Sequence, residues 1–133
     1  MEFHDLADYR GKVVLLEIML TKCPNCQKLA QTLEKAKEKY GDRIAVVSIV
    51  NPPDTRAAVT AFKKDNNLSG TILFDCGQAV GSYLLPNPER PRIHVPHLFL
   101  IDSNGMIRND FDHTSTTIFE AGGLDGEIDK LLQ

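Results

Sequence analysis

Two short apolar runs fix most of what this chain can fold into. Val13-Val14-Leu15-Leu16-Glu17-Ile18-Met19-Leu20 is continuous but for one acid, and Ile44-Ala45-Val46-Val47-Ser48-Ile49-Val50 is rich in β-branched residues. Neither alternates polar with apolar, so both read as strands covered on two faces, as in a parallel or mixed sheet between helices. Between them the sequence predicts a helix starting near Pro24, where a first-turn proline costs no hydrogen bond. Leu29, Leu33, Ala36 and Tyr40 recur at helical spacing as its apolar face, and Gly41 supplies the stop. Strand, helix and strand then form one right-handed crossover.

Beyond the second run, Pro52-Pro53 breaks the chain, and Asp54 or Thr55 is placed to cap a second helix. Ala58, Val59 and Phe62 would be its buried side, with an end at Asn66-Asn67. Thr71 to Asp75 is a short strand, followed by a short helix over about Gln78 to Leu85. The stretch Pro86-Asn87-Pro88-Glu89-Arg90-Pro91 is too rich in proline for regular structure. His97 to Asp102 and Met106 to Phe111 flank Ser103-Asn104-Gly105, and Asn-Gly between apolar runs signals a hairpin. A last helix covers Asp125 to Leu132, with Ile128, Leu131 and Leu132 inward. The expected class is α/β: a central mixed sheet flanked by helices, with an antiparallel C-terminal hairpin, all within one domain over residues 1–133.

Composition narrows the function classes. The 133 residues carry 15 Lys+Arg against 18 Asp+Glu, a net charge of -3 that offers nothing to offset nucleic-acid phosphates. No apolar run approaches the roughly 18 residues that span a bilayer. The first residues, MEFHDLADYRGK, lack the basic-then-apolar pattern of a secretion signal.

Cys23-Pro24-Asn25-Cys26 is the sharpest chemical signal. It stands where a buried strand gives way to a helix. There, Cys23 meets unpaired backbone N–H groups and the positive end of the helix dipole, which favour a thiolate. Cys26, nearly a turn further in, is close enough to close a disulfide. One thiol can attack a substrate disulfide and the other can resolve the mixed disulfide. Pro24 fixes φ just after the nucleophile, and Lys22 adds a nearby positive charge. The alternatives are a zinc knuckle, with Cys76, His94 and His97 as further ligands, or two packed core cysteines. The strongly apolar strand before the motif is not the tight turn of a knuckle, and no metal or cofactor is expected.

LADYRGKVVLLEIMLTKCPNC, a long amphipathic helix and then VPHLFLIDSNGMI together resemble the TlpA/ResA-like thiol-disulfide oxidoreductases of the thioredoxin superfamily, redoxins related to the AhpC/TSA proteins. The resemblance runs from about Asp5 to Gly105 and implies a thioredoxin-like fold. It implies exchange of disulfides with a disulfide- or dithiol-containing protein, and reaction with an upstream redox partner. Cys23 and Cys26 would form the redox-active disulfide. Pro96 matches the family's proline whose preceding peptide bond is cis, and Val95 would then offer its backbone to a partner strand, with Pro24 and Asn25 beside it. Glu17 lies six residues before Cys23, where thioredoxin has a buried aspartate. A buried acid needs a partner or a task. Its pKa should rise, letting it accept and return the proton of Cys26; the alternative is pairing with Lys12.

Departures from the pattern matter as well. There is no tryptophan, and Met19 and Lys22 stand where the family usually has aromatics. The segment from Tyr83 to Pro96 is several residues longer than usual, either a partner-recognition loop or an idle excursion. The family's N-terminal hairpin is missing, which suggests an excised domain or trimmed variant. The residues themselves give no location; the resemblance implies an extracytoplasmic, periplasmic one, and a monomeric state is the remaining expectation.

Other candidates carry less. Cys76 is expected to be a small buried hydrophobe. His94 and His97 flank Val95-Pro96 and could approach the dithiol or hold a metal, although solvated or backbone-bonded rings are favoured. His4 and His113 have no evident partner, and Glu34 to Lys39 reads as a solvated helix face. A peroxiredoxin-like peroxidase is the rival enzyme, weakened because Leu20 stands where a threonine is wanted. A thioredoxin-fold copper or zinc carrier is the rival binding module, weakened by the two-residue cysteine spacing.

Overall fold

β1 (Val13–Met19) is buried at every residue, which a strand achieves only with neighbours on both edges and cover on both faces. The structure, a computed structural model, describes residues 5–75, 77–86, 88–89 and 93–133. Beyond β1 run α1 (Pro24–Tyr40), β2 (Ile44–Val50), α2 (Arg56–Asp65), β3 (Thr71–Phe74), α3 (Gln78–Tyr83), β4 (His97–Ile101), β5 (Ile107–Phe111) and α4 (Asp125–Leu132). Short 3-10 turns cover Leu6–Tyr9 and Gly41–Arg43.

The five strands form one mixed sheet in the order β3-β2-β1-β4-β5. β1 and β2 pair in parallel from Val13 opposite Ile44 to Met19 opposite Val50. β3 extends the parallel side, whereas β4 and β5 are antiparallel. This is the α/β class with a C-terminal hairpin that the sequence predicts. The hairpin closes through Gly105, whose φ of 85° suits glycine and whose N–H donates to the Asp102 carbonyl at 2.9 Å.

Side chains alternate across β1 and so divide the core. Val13 and Leu15 pack with Leu29, Leu33, Ala36 and Tyr40 of α1 and Ile128 of α4. Val14, Leu16 and Ile18 face the opposite layer, against Phe99, Ile101 and the partly buried Ala79, Val80 and Tyr83 of the α3 side. Burying each leucine side chain of the α1 stripe is worth about 1.5–3 kcal/mol. That anchoring holds α1 against the sheet and aims its N-terminus at the C-terminal end of β1. Met19 and Cys26 join Ala30, Val50, Val59 and Phe62 in a third cluster at that end.

Thr55, rather than Asp54, caps α2, its hydroxyl accepting the Ala58 N–H at 3.1 Å. Val59 and Phe62 are buried as predicted, whereas Ala58 is only half-buried. The charged face of α1 is also more than solvated. Lys39 pairs with Asp125 at 2.8 Å, Lys37 donates to the Ser69 hydroxyl at 2.9 Å, and Glu34 accepts from Ser69. These contacts tie α1 to α4 and to the loop before β3.

Candidate active site

Topology brings three segments to one end of the sheet. β1 ends at Met19 and feeds the turn into α1. β4 begins at His97, which lies opposite Ile18 in the antiparallel register, so Pro96 arrives beside the end of β1. The Val95–Pro96 peptide bond is cis. Pro96 is buried and Val95 half-buried, and the Val95 carbonyl lies 3.7 Å from the Cys23 sulfur.

Cys23 is the N-cap of α1, with extended backbone at φ −125° and ψ 116°. Its Sγ accepts the Cys26 N–H at 3.2 Å, as a capping oxygen would at the third helical position. Pro24 follows at the first helical position and is exposed; Asn25 is half-buried. The two thiols differ sharply in access. Cys23 is partly open, whereas Cys26 is 0% exposed and both sulfurs are free. Burial, followed by the contact with Cys23, pushes the Cys26 thiol far above the ordinary thiol range.

Glu17 points to the same face of the sheet as Met19 and α1, and is 1% exposed. Its register partner across the parallel pair is Ser48, whose hydroxyl donates to Glu17 Oε1 at 2.6 Å. Oε2 is buried without a hydrogen-bond partner. Burial raises the carboxyl pKa to about 7, and the Ser48 bond lowers it only in part. The Glu17 charge also bears on Cys26, disfavouring its thiolate. The partner is therefore Ser48, not the Lys12 weighed from sequence.

The histidines beside Val95-Pro96 are engaged elsewhere. His97 Nε2 lies 2.7 Å from Asp110 Oδ2 and its ring stacks on Phe99, with centroids 4.6 Å apart. His94 stacks on His113 at 4.3 Å, a partner the sequence did not reveal. Among the described residues no three His, Cys, Asp or Glu side chains are grouped to hold a metal ion. His4, Cys76 and, from the proline-rich stretch, Asn87, Arg90 and Pro91 lie outside the described residues.

Sequence reasoning missed two features. A cleft of about 420 Å³ opens beside Val95, walled by Met19, Leu20, Pro52, Val80 and Ile93, with the side-chain oxygen of Asn51 buried and unpartnered. Asp54 reaches back to Thr21 across the top of the sheet. The second had a faint signal, an acid just past a diproline at the end of a buried strand.

The chain is similar to several known proteins. The chain is 27% identical over 113 residues to the thiol-disulfide oxidoreductase ResA of Geobacillus kaustophilus, the match taking in 85% of this chain and 62% of that one. It is 32% identical over 103 residues to the thiol:disulfide interchange protein DsbE of Escherichia coli, covering 74% of this chain and 49% of that one. The chain thus spans about half to three fifths of the length of these relatives. Among solved structures, a secreted disulfide oxidoreductase of Mycobacterium tuberculosis superposes with a TM-score of 0.70 at 21% identity, covering 96% of this chain and 86% of that one, a likeness of fold. The fold is thioredoxin-like, as the resemblance implied. The AhpC/TSA family model matches residues 2–110, which takes in β1 to β4 and nearly all of β5, and the chain belongs to that family.

Proposed function

We propose that this protein is a thiol-disulfide oxidoreductase that exchanges the Cys23–Cys26 dithiol with disulfides of partner polypeptides. The observation that carries the reading is the asymmetry of the pair. One sulfur is accessible and caps a helix, and the other is fully buried a turn behind it. The matches to ResA and DsbE support the same chemistry.

In the forward direction the Cys23 thiolate attacks one sulfur of the partner disulfide. A new S–S bond forms and the partner's other sulfur leaves as a thiolate. Cys26 then loses its proton to Glu17 and attacks the Cys23 sulfur, releasing the partner's second thiolate and leaving the Cys23–Cys26 disulfide. Two electrons pass to the partner, and an upstream dithiol returns them. Burial that discourages Cys26 from ionising gives Glu17 its task, since a carboxyl near pH 7 can take a proton and return it. Pro24 and Asn25 border the attacking sulfur, while Val95 and Pro96 supply a backbone edge against which the partner strand can lie.

A Cys26→Ser variant tests the reading. It should accumulate a mixed disulfide with a disulfide-containing substrate such as insulin, linked at Cys23, while Cys23→Ser accumulates none. Reduction of insulin by the parent chain with dithiothreitol should be lost in both. Consumption of hydrogen peroxide with no insulin reduction would favour a peroxidase instead. The proposal includes a location outside the cytoplasm, as the resemblance implies, and a monomeric state. Among the described residues no helix is long and apolar enough to cross a membrane.

A further inference from the structure

A carboxylate from the loop after β2 bonds the turn that joins β1 to α1. Asp54 Oδ2 accepts the Thr21 N–H at 2.7 Å, and Oδ1 accepts the Thr21 hydroxyl at 2.6 Å. Thr21 is 7% exposed and stands between the end of β1 and Cys23. Asp54 is itself placed by the loop after β2, where its N–H donates to the Asn51 carbonyl at 3.1 Å across Pro52-Pro53. Because Met19 lies opposite Val50, the two loops leave the sheet side by side, and the Asp54 carboxylate spans them. Hydrogen bonds to an ionised acceptor are roughly twice as strong as neutral ones.

This clamp lies two residues before the candidate nucleophile. The Cys23 sulfur depends on position for its contacts with the Cys26 N–H at 3.2 Å and the Val95 carbonyl at 3.7 Å. No strand pairing reaches residues 20–22, so the Cys23 backbone is placed by this turn on one side and by the Gln27 N–H, which donates to its carbonyl at 3.1 Å, on the other. Asp54 secures that turn at its middle residue.

We propose that Asp54 is a positioning residue for thiol-disulfide exchange, acting through Thr21 to fix the turn that presents Cys23 to the N-terminus of α1 and to the substrate. The inference rests on Cys23 being the attacking thiol. Asp54 touches neither sulfur, so its effect reaches the chemistry only through the backbone.

The test is the pH–rate profile for alkylation of the reduced full chain by iodoacetamide, with the modified cysteine identified by peptide mass. Thr21→Val keeps the side-chain volume and the N–H bond but removes the hydroxyl. Asp54→Asn keeps one acceptor oxygen and loses the other. Both should slow Cys23 alkylation at pH 7 by about threefold or more and displace the profile to higher pH, and Thr21→Ser should restore the parental profile. If Asp54 acts only through its charge, Asp54→Asn accelerates alkylation and Thr21→Val leaves it unchanged, which overturns the proposal. Superimposable profiles with lowered urea midpoints would also overturn it, as a merely structural clamp. Alkylation of Cys26 or Cys76 ahead of Cys23 in the parent chain would remove the reading beneath it, a failure that needs no variant to detect.

Discussion

Replacing Glu17 with glutamine should flatten the pH dependence of stability between pH 5 and 8. The carboxyl has an ordinary pKa of 4.5 and is held at about 7 in the fold, chiefly by burial. Between those values the folded chain keeps a proton that the unfolded chain has released, so stability falls as pH rises. The contribution is fully present below about pH 4.5 and is lost as pH rises through about 7. A displacement of that size, at about 1.4 kcal/mol per unit, corresponds to about 3.5 kcal/mol in full. In Glu17→Gln the side-chain oxygen still accepts from Ser48, but the new amide nitrogen takes the place of an oxygen without a partner. That unpaired donor costs about 1–3 kcal/mol at every pH, so the slope and not the absolute stability is the signal. Urea denaturation of the reduced protein from pH 5 to 8 provides the assay. The parent should lose about 2.5 kcal/mol more than the variant over this range. Parallel curves would refute the assignment of Glu17 as a buried, proton-holding acid.

Three further outcomes follow from the same contacts. Ser48→Ala removes the hydrogen bond that favours the ionised carboxyl, so the inflection in the parental stability profile should move to higher pH. Phe119→Ala should cost about 3–5 kcal/mol in urea denaturation, because the Phe119 ring is fully buried in the core cluster with α1 and α4. Gly123→Ala should lower thermal stability by about 1–3 kcal/mol, because its Cβ would collide with the Thr117 carbonyl and with Ile118 backbone atoms.

Local signals predicted a great deal. The spacing of Leu29, Leu33, Ala36 and Tyr40 places α1 correctly, and Gly41 ends it at φ 60°. Asp125 to Leu132 forms the last helix over the predicted residues. The two apolar runs pair in parallel, and Glu17 and Ser48, each the fifth residue of its strand, fall opposite one another. That pairing was in the sequence once the register was known, but nothing local fixes a register. Contacts made by folding rather than spacing stayed hidden. Phe119 and Leu124 are core residues in a stretch without regular structure, so no periodicity marks them. Asp54 meets Thr21 only because β1 and β2 end side by side. His97 turns to Asp110 because the antiparallel hairpin sets them on neighbouring strands, which leaves the imidazole engaged away from the dithiol. The motif itself was legible because a helix N-terminus after a buried strand is local information.

The reversible couple is tested most directly by equilibrating the protein against a series of reduced and oxidised glutathione mixtures, then trapping free thiols and mapping them by mass. A single two-electron transition should be seen, with Cys23 and Cys26 losing their trapping label together and becoming joined to each other. Both thiols staying free across the whole series, or a disulfide formed by either one with Cys76 instead, would contradict the account.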